Sequence, residues 1–282
     1  MSELRDHVQA NLGAAYTVER ELGGGGMSRV FVAHDATVGR SVVLKILPPE
    51  LAAGVSRERF QREIHLATQL QHPNIVPVIG TGEANGLPYY MMPFVDGESL
   101  RDRLRRQLQL PVDEAVRIAC EVAQALDYAH DHDIVHRDIK PENVLLHGGH
   151  ALVADFGIGR AITHASDPIT LAGMAVGTPQ YMSPEQAAGE REIDGRSDVY
   201  SLGCVLYEML VGEPPFTGRT AQAVIARRFA GVVPPLRVVR PTVPIEVERA
   251  VLRALALNPE ERFQTGAQFA DAITTPYTSA SR

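Results

Sequence analysis

The sequence predicts an α+β protein of two lobes: a small antiparallel sheet with one long helix, then a larger, mostly helical lobe. Three observations predict it. Short runs of β-branched and aromatic residues, broken by glycine and turn residues, fill residues 16–95. Longer segments with apolar residues at helical spacing come after them. The texture changes near Asp96, which marks a lobe boundary, and a cleft between lobes is a common place for a ligand.

Residues 1–15 read as an N-terminal helical extension, polar over 1–13. "YTVEREL", "RVFVAHD" and "SVVLKIL" then form a three-stranded antiparallel meander. "SRERFQREIHLATQL" sets Phe60, Ile64 and Ala67 on one helical face. "NIVPVIGTGEANGLPYYMMPFV" returns to strands, with "EANG" as the hairpin turn. These elements make the first lobe, 16–95, and the second runs over 96–275. In the second lobe, Ala115, Ile118, Ala119, Val122, Leu126 and Ala129 form one stripe of "DEAVRIACEVAQALDYAH". "SDVYSLGCVLYEML" is apolar nearly all round, as a buried helix is, and "NVLLH" and "ALVADFG" are short extended pieces. Residues 276–282 are a frayed, flexible tail.

Composition bounds the function. A chain of 282 residues with 45% hydrophobic and 22% charged content is an ordinary soluble globular protein with a sizeable core. With 27 basic against 34 acidic residues the net charge is −7, which argues against nucleic-acid binding through bulk positive charge. Cys120 and Cys204 stand alone in apolar helical stretches and read as free thiols in a reducing compartment. The N-terminus has no signal-type apolar core, and no apolar run is long enough to span a bilayer. The expected location is cytoplasmic, a longer membrane-anchored parent being compatible with that reading.

"ELGGGGMSRV" contains four consecutive glycines, Gly23 to Gly26. Alone it reads more often as a turn or linker than as a loop whose bare backbone lies against phosphates. Residues further along the chain give it company. Lys45 lies in "VVLK", Glu63 in the first long helix, "HRDIKPEN" starts at His136, "DFG" at Asp155 and "GTPQYMSPE" at Gly177. In order and spacing these resemble the motifs of eukaryotic-type protein kinases over about residues 16–275. "GGMSRVFVAHD", "RSDVYSLGCVLYEMLVGEPPF" and "NPEERFQT" are similar to bacterial serine/threonine kinases, including the actinobacterial receptor-type enzymes.

The resemblance implies a bilobal protein kinase fold and transfer of the ATP γ-phosphate to serine and threonine hydroxyls of proteins. It implies that Leu22, Gly23, Gly24, Gly25, Gly26, Met27, Ser28, Arg29 and Val30 cover the nucleotide, with Ser28 standing where the family has its third loop glycine. Met92 takes the gatekeeper place, Pro93 offers its carbonyl to adenine and Val95 its N–H. Lys45 would contact phosphates and be held by Glu63, with Glu58 as the nearest competitor for that role. Asp138 is implied as the base, Lys140 as the neutraliser of phosphoryl charge, and Asn143 and Asp155 as ligands of Mg2+, or Mn2+ in its place.

Other matches imply structural roles. His136 packs near Phe156, Glu185 pairs with Arg262, Asp198 holds the "HRD" backbone, and Thr178 contacts the catalytic loop. In "GIGRAITHASDPITLAGMAVG" the matching phosphate acceptor is Thr170, with Thr163 and Ser166 as weaker candidates and Arg137 as the receiving cation. Bacterial relatives also imply a homodimer through the first lobe. Three other readings stand beside this one: a pseudokinase scaffold, a small-molecule phosphotransferase, and a nucleotide-gated module with negligible turnover. Lys45, Glu63, Asp138, Asn143, Asp155 and Gly157 are all present, against the first, and "GTPQYMSPE" with "DVYSLG" is foreign to the second.

Overall fold

The computed structural model describes residues 2–23, 28–47, 57–84, 86–156, 179–190 and 192–278. The chain divides into two compact units. The first takes residues up to 71 and those of 76–96; the second takes 72–75, 97–156 and the described residues from 179 onward.

The first unit is a five-stranded antiparallel sheet in the order β1-β2-β3-β5-β4. β1 is Tyr16–Gly23, β2 Arg29–Asp35, β3 Arg40–Ile46, β4 Gly80–Ala84 and β5 Leu87–Pro93. Alternation along β2 and β3 sends Phe31, Ala33, Val42, Leu44 and Ile46 into one apolar cluster. Helix α1, Ser2–Leu12, joins that cluster through Val8 and Leu12. Gln9 fastens it further: its Oε1 accepts from the Val18 N–H at 2.7 Å, and its Nε2 donates to the Tyr16 carbonyl at 2.8 Å. One side-chain amide thus stands in for a neighbouring strand along β1. Helix α2, Arg57–Ala67, buries Phe60, Ile64 and Ala67, the face its spacing predicts.

Strands begin later than expected in the stretch after α2. "NIVPVI" is not a strand: Ile75 makes a single bridge to Val153, and the regular ladder starts at Gly80. Pro77 supplies no N–H for a ladder. Asn74 is spent on the second unit, accepting from the Val153 N–H at 2.8 Å and donating from Nδ2 to the Ala151 carbonyl at 2.8 Å.

The second unit carries the remaining helices: α3 Leu100–Gln107, α4 Val112–His130, α5 Pro184–Ala188, α6 Gly195–Val211, α7 Ala221–Phe229, α8 Leu236–Val239, α9 Ile245–Ala254 and α10 Gly266–Thr278. A three-stranded sheet, β6 Glu98–Ser99, β7 Val144–His147 and β8 His150–Val153, lies among them in that order. The α4 stripe is buried as its spacing predicts, and every residue of α6 from Ser197 to Val211 is buried. Asp194 caps α6 by accepting from the Arg196 N–H at 3.0 Å, and Gly212 in the left-handed region ends it. A Cβ at Gly195 would sit 2.5 Å from Nδ1 of His130, so glycine is what lets the start of α6 meet α4. Both cysteines are free; burial pushes the Cys120 thiol up to about 11 and the Cys204 thiol up to about 12, so neither is a ready nucleophile. Among the described residues no helix is long and apolar enough to cross a membrane.

Candidate active site

In the first unit, strand register positions the candidate nucleotide residues. Lys45 lies in the middle strand β3, paired with Val30 on β2 and Tyr90 on β5, so ladders on both sides fix its backbone. Glu63 is 8% exposed on the α2 face that carries Phe60 and Ile64. Met92 is buried opposite Val43. Pro93 closes β5 and Val95 is half-buried just beyond it. Gly23 pairs with Val30 where β1 and β2 converge on the glycine run. Leu22 is 45% exposed there, and Val30 and Ser28 are half-buried. The Arg29 guanidinium forms a two-point ion pair with Glu21 at 2.9 and 2.8 Å, which fastens the strands at the base of the run. That pairing holds the Glu21 carboxyl below its usual range. Gly24, Gly25, Gly26 and Met27 lie outside the described residues, as do Gly157, Thr163, Ser166, Thr170, Gly177 and Thr178.

In the second unit the loop between α4 and β7 gathers Asp138, Lys140 and Asn143. Lys140 Nζ donates to Asp138 Oδ2 at 2.7 Å. Asn143 Nδ2 donates to the Asp138 carbonyl at 2.8 Å and to Oδ2 at 3.1 Å. Both amide hydrogens of Asn143 are therefore turned to Asp138, and its Oδ1 is turned away. The Ala154 N–H donates to the Asn143 carbonyl at 2.9 Å, tying Asn143 to the residue before Asp155. Among the described residues no three or more His, Cys, Asp or Glu side chains gather into a metal cage. An amide oxygen and a carboxylate from two adjoining loops fit a hard divalent ion that completes its shell with water and phosphate oxygens.

This loop has no ladder to hold it, and backbone strain marks both it and the adjoining loop after β8: Arg137 has φ 68° in the first and Asp155 φ 71° in the second. Buried polar groups do the holding. Asp198, fully buried on α6, accepts from the His136 N–H (2.8 Å), the Arg137 N–H (2.8 Å) and His130 Nε2 (2.8 Å). Burial works to raise the Asp198 carboxyl, and His130 with the backbone donors outweighs it and holds the group low. Burial likewise opposes charge on His130, and the Asp198 carboxylate outweighs it and raises that imidazole. His136 accepts the Asp138 N–H on Nδ1 at 3.2 Å and donates from Nε2 to the Ala154 carbonyl at 2.9 Å. Its ring stands edge-on to Phe156 at 4.7 Å. Both of its nitrogens are spent inside the fold, in keeping with the structural role its resemblance implies.

Glu185 and Arg262 form the expected pair, fully buried on the arginine side, at 2.7 and 2.8 Å. Burial would raise the Glu185 carboxyl, and Arg262 reverses the direction. A second network was not read from the sequence. Arg101 on α3 donates to Glu142 of the Asp138 loop at 2.9 Å, to Glu208 of α6 at 2.7 Å and to the Tyr181 hydroxyl, which itself donates to Glu208 at 2.5 Å. Gln186 Nε2 adds a bond to the Arg137 carbonyl at 2.7 Å. Glu142 sits inside a recognised motif, but no local pattern links it to an arginine 41 residues earlier.

Residues 16–274 match the family model described as protein kinase domain. Over 271 residues the chain is 45% identical to serine/threonine-protein kinase PknB of Mycolicibacterium smegmatis, covering 93% of this chain and 43% of that protein. Over 265 residues it is 42% identical to serine/threonine-protein kinase PknB of Mycobacterium tuberculosis, covering 92% of this chain and 42% of that protein. The chain thus spans less than half the length of these relatives.

Proposed function

The chain belongs to the protein kinase domain family, and we propose that it transfers the γ-phosphoryl group of ATP to serine and threonine hydroxyls of proteins. The observation that carries this reading is the Asp138 carboxylate, held by Lys140 and Asn143 in a loop that Asp198 anchors. In the proposed step the acceptor oxygen bonds to the γ-phosphorus while the bond from that phosphorus to the oxygen left on ADP breaks. The hydroxyl proton passes to Asp138. The transition state is loose, so Asp138 contributes mainly by aiming the hydroxyl. Lys140 sits where it can leave Asp138 for a phosphoryl oxygen. Lys45, positioned by Glu63, would hold the other phosphates. The residues from Leu22 to Val30, with Met92 and Val95, would bind the nucleotide. Asn143 and Asp155 would hold Mg2+ or Mn2+, which supplies charge neutralisation to the phosphates when bound.

The same reading includes autophosphorylation at Thr170 with Arg137 as its receiver, a cytoplasmic location for this domain and a homodimer through the first unit. These rest on the motif resemblance; the relatives' names support the serine/threonine kinase activity alone. Asp138→Ala tests the reading. Incubation with Mg-ATP and mass spectrometry should find phosphate on the wild-type protein and a rate lower by about 10²–10⁴ in the variant, with the fold intact by circular dichroism. Near wild-type turnover in Asp138→Ala would remove Asp138 from the mechanism. Loss of activity in wild type on phosphatase treatment, with Thr170→Ala matching the treated protein, is the outcome expected for the loop site.

A further inference from the structure

Arg228 and Arg262 are the two largest completely buried side chains among the described residues. Arg262 has a carboxylate partner in Glu185. Arg228, on α7, has none among the described residues. Its Nη2 donates to the Pro179 carbonyl, its guanidinium lies 5.7 Å from the Phe216 ring centre and acts on the buried Tyr200 hydroxyl, and its Nε and Nη1 are buried with no hydrogen bond of good geometry among the described residues. A buried cation left this incompletely satisfied is costly, and cheaper side chains would fill the same space. Its hydrogen bond to the Pro179 carbonyl is therefore the place to look for its use.

Pro179 opens the segment that runs through Tyr181 into α5. Three contacts fix that segment. Arg228 holds the Pro179 carbonyl, Ser201 Oγ donates to the Tyr181 carbonyl at 2.8 Å, and the Tyr181 hydroxyl joins Arg101 and Glu208. Arg101 reaches Glu142, and Gln186 reaches the Arg137 carbonyl, so segment and catalytic loop form one hydrogen-bonded body within the second unit. The Arg228 contact alone comes from α7 and touches no residue of the catalytic loop. We propose that Arg228 is a positioning residue for the protein acceptor: by fixing the Pro179 carbonyl it sets the path of residues 179–182 and so the affinity for the polypeptide that delivers the hydroxyl, with no part in holding ATP. The inference rests on the kinase reading for its consequence, while the pinning itself is independent of it.

Arg228→Met keeps the apolar stem and deletes the donors, and Arg228→Lys restores one donor and the charge. Each is compared with wild type by thermal melting, by hydrogen exchange of residues 180–182, and by steady-state kinetics with a basic serine-rich acceptor protein. Arg228→Met should speed exchange there and raise the acceptor KM by about tenfold, the effect of one charge-assisted hydrogen bond. The ATP KM should stay within about twofold of wild type, and Arg228→Lys should recover most of the loss. Should Arg228→Met not fold, Arg228→Gln, a neutral donor of similar reach, takes its place. Unchanged exchange in a folded variant, or acceptor and ATP KM rising together, would overturn the proposal. Wild type that transfers no phosphate would sink the kinase reading, and the exchange measurement would still decide whether Arg228 pins the segment.

Discussion

The two units hold their candidate functional residues by different means. In the first, Lys45 and Met92 sit in the middle of ladders, where register fixes the backbone and an apolar cluster fixes the sheet. In the second, Asp138 sits in a loop that no ladder holds. The buried Asp198 and His136 and the half-buried His130 hold it, all hydrogen-bonded. Regular structure can place a side chain by repetition alone. An irregular loop with a left-handed Arg137 needs a separate polar partner for each backbone group it turns inward. The buried charges in the second unit are the consequence.

The comparison is broken most forcefully at Asp198. In Asp198→Asn one acceptor oxygen becomes a donor facing the His136 or Arg137 N–H, and His130 loses its counter-charge. Stability should fall by about 3–5 kcal/mol in urea titration, and phosphate transfer should fall with it, since the loop itself is released. Leu44→Ala in the first unit should cost a comparable but smaller amount, about 2–5 kcal/mol, through a cavity beside Phe31 and Val42. Here the rate per folded molecule is expected to hold, because register and not that side chain places Lys45. A Leu44→Ala variant with full stability and lost turnover would reverse the assignment.

A smaller and pH-dependent effect should come from His130. Its imidazole is raised in the folded protein, so its contribution is fully present below the unfolded value near 6.5 and is lost as pH rises through the higher folded value. The stability gap between wild type and His130→Asn should therefore be widest near pH 6 and narrow toward pH 9. A gap that widens with pH would show that His130 is neutral in the folded state. The smallest effect is expected at Arg29→Gln. Its pair with Glu21 is partly exposed, so about 1 kcal/mol or less should be lost, and less still in high salt.

Much of this architecture was legible before the structure, for reasons that can be named. The meander, the α4 stripe and the buried α6 follow from period, and period is a property of neighbouring residues. The loop residues were legible only through resemblance: nothing in the spacing of Asp138, Lys140 and Asn143 alone says that one oxygen of Asp138 receives both partners. The misplaced strand at "NIVPVI" had β-branched composition and lost its ladder to Pro77 and to a distant partner for Asn74. Arg101 and Arg228 stayed hidden because their partners lie 41 to 107 and 49 residues away, across turns that local pattern does not encode.

The seating of α1 has a consequence for the order of events during synthesis. Its eleven residues leave the ribosome before the sheet does, yet the cluster that receives Val8 and Leu12 includes Ala84, Tyr89 and Met91. Chains emerge at about 5–20 residues per second, so the helix waits several seconds before its seat exists. A helix this short is marginal alone in water. In that interval Val8 and Leu12 are bare, and β1 has no Gln9 amide along its backbone. This helix is thus made before its seat and finished after it, and a ribosome-bound nascent chain should protect residues 5–12 from protease only after Met91 has cleared the exit tunnel.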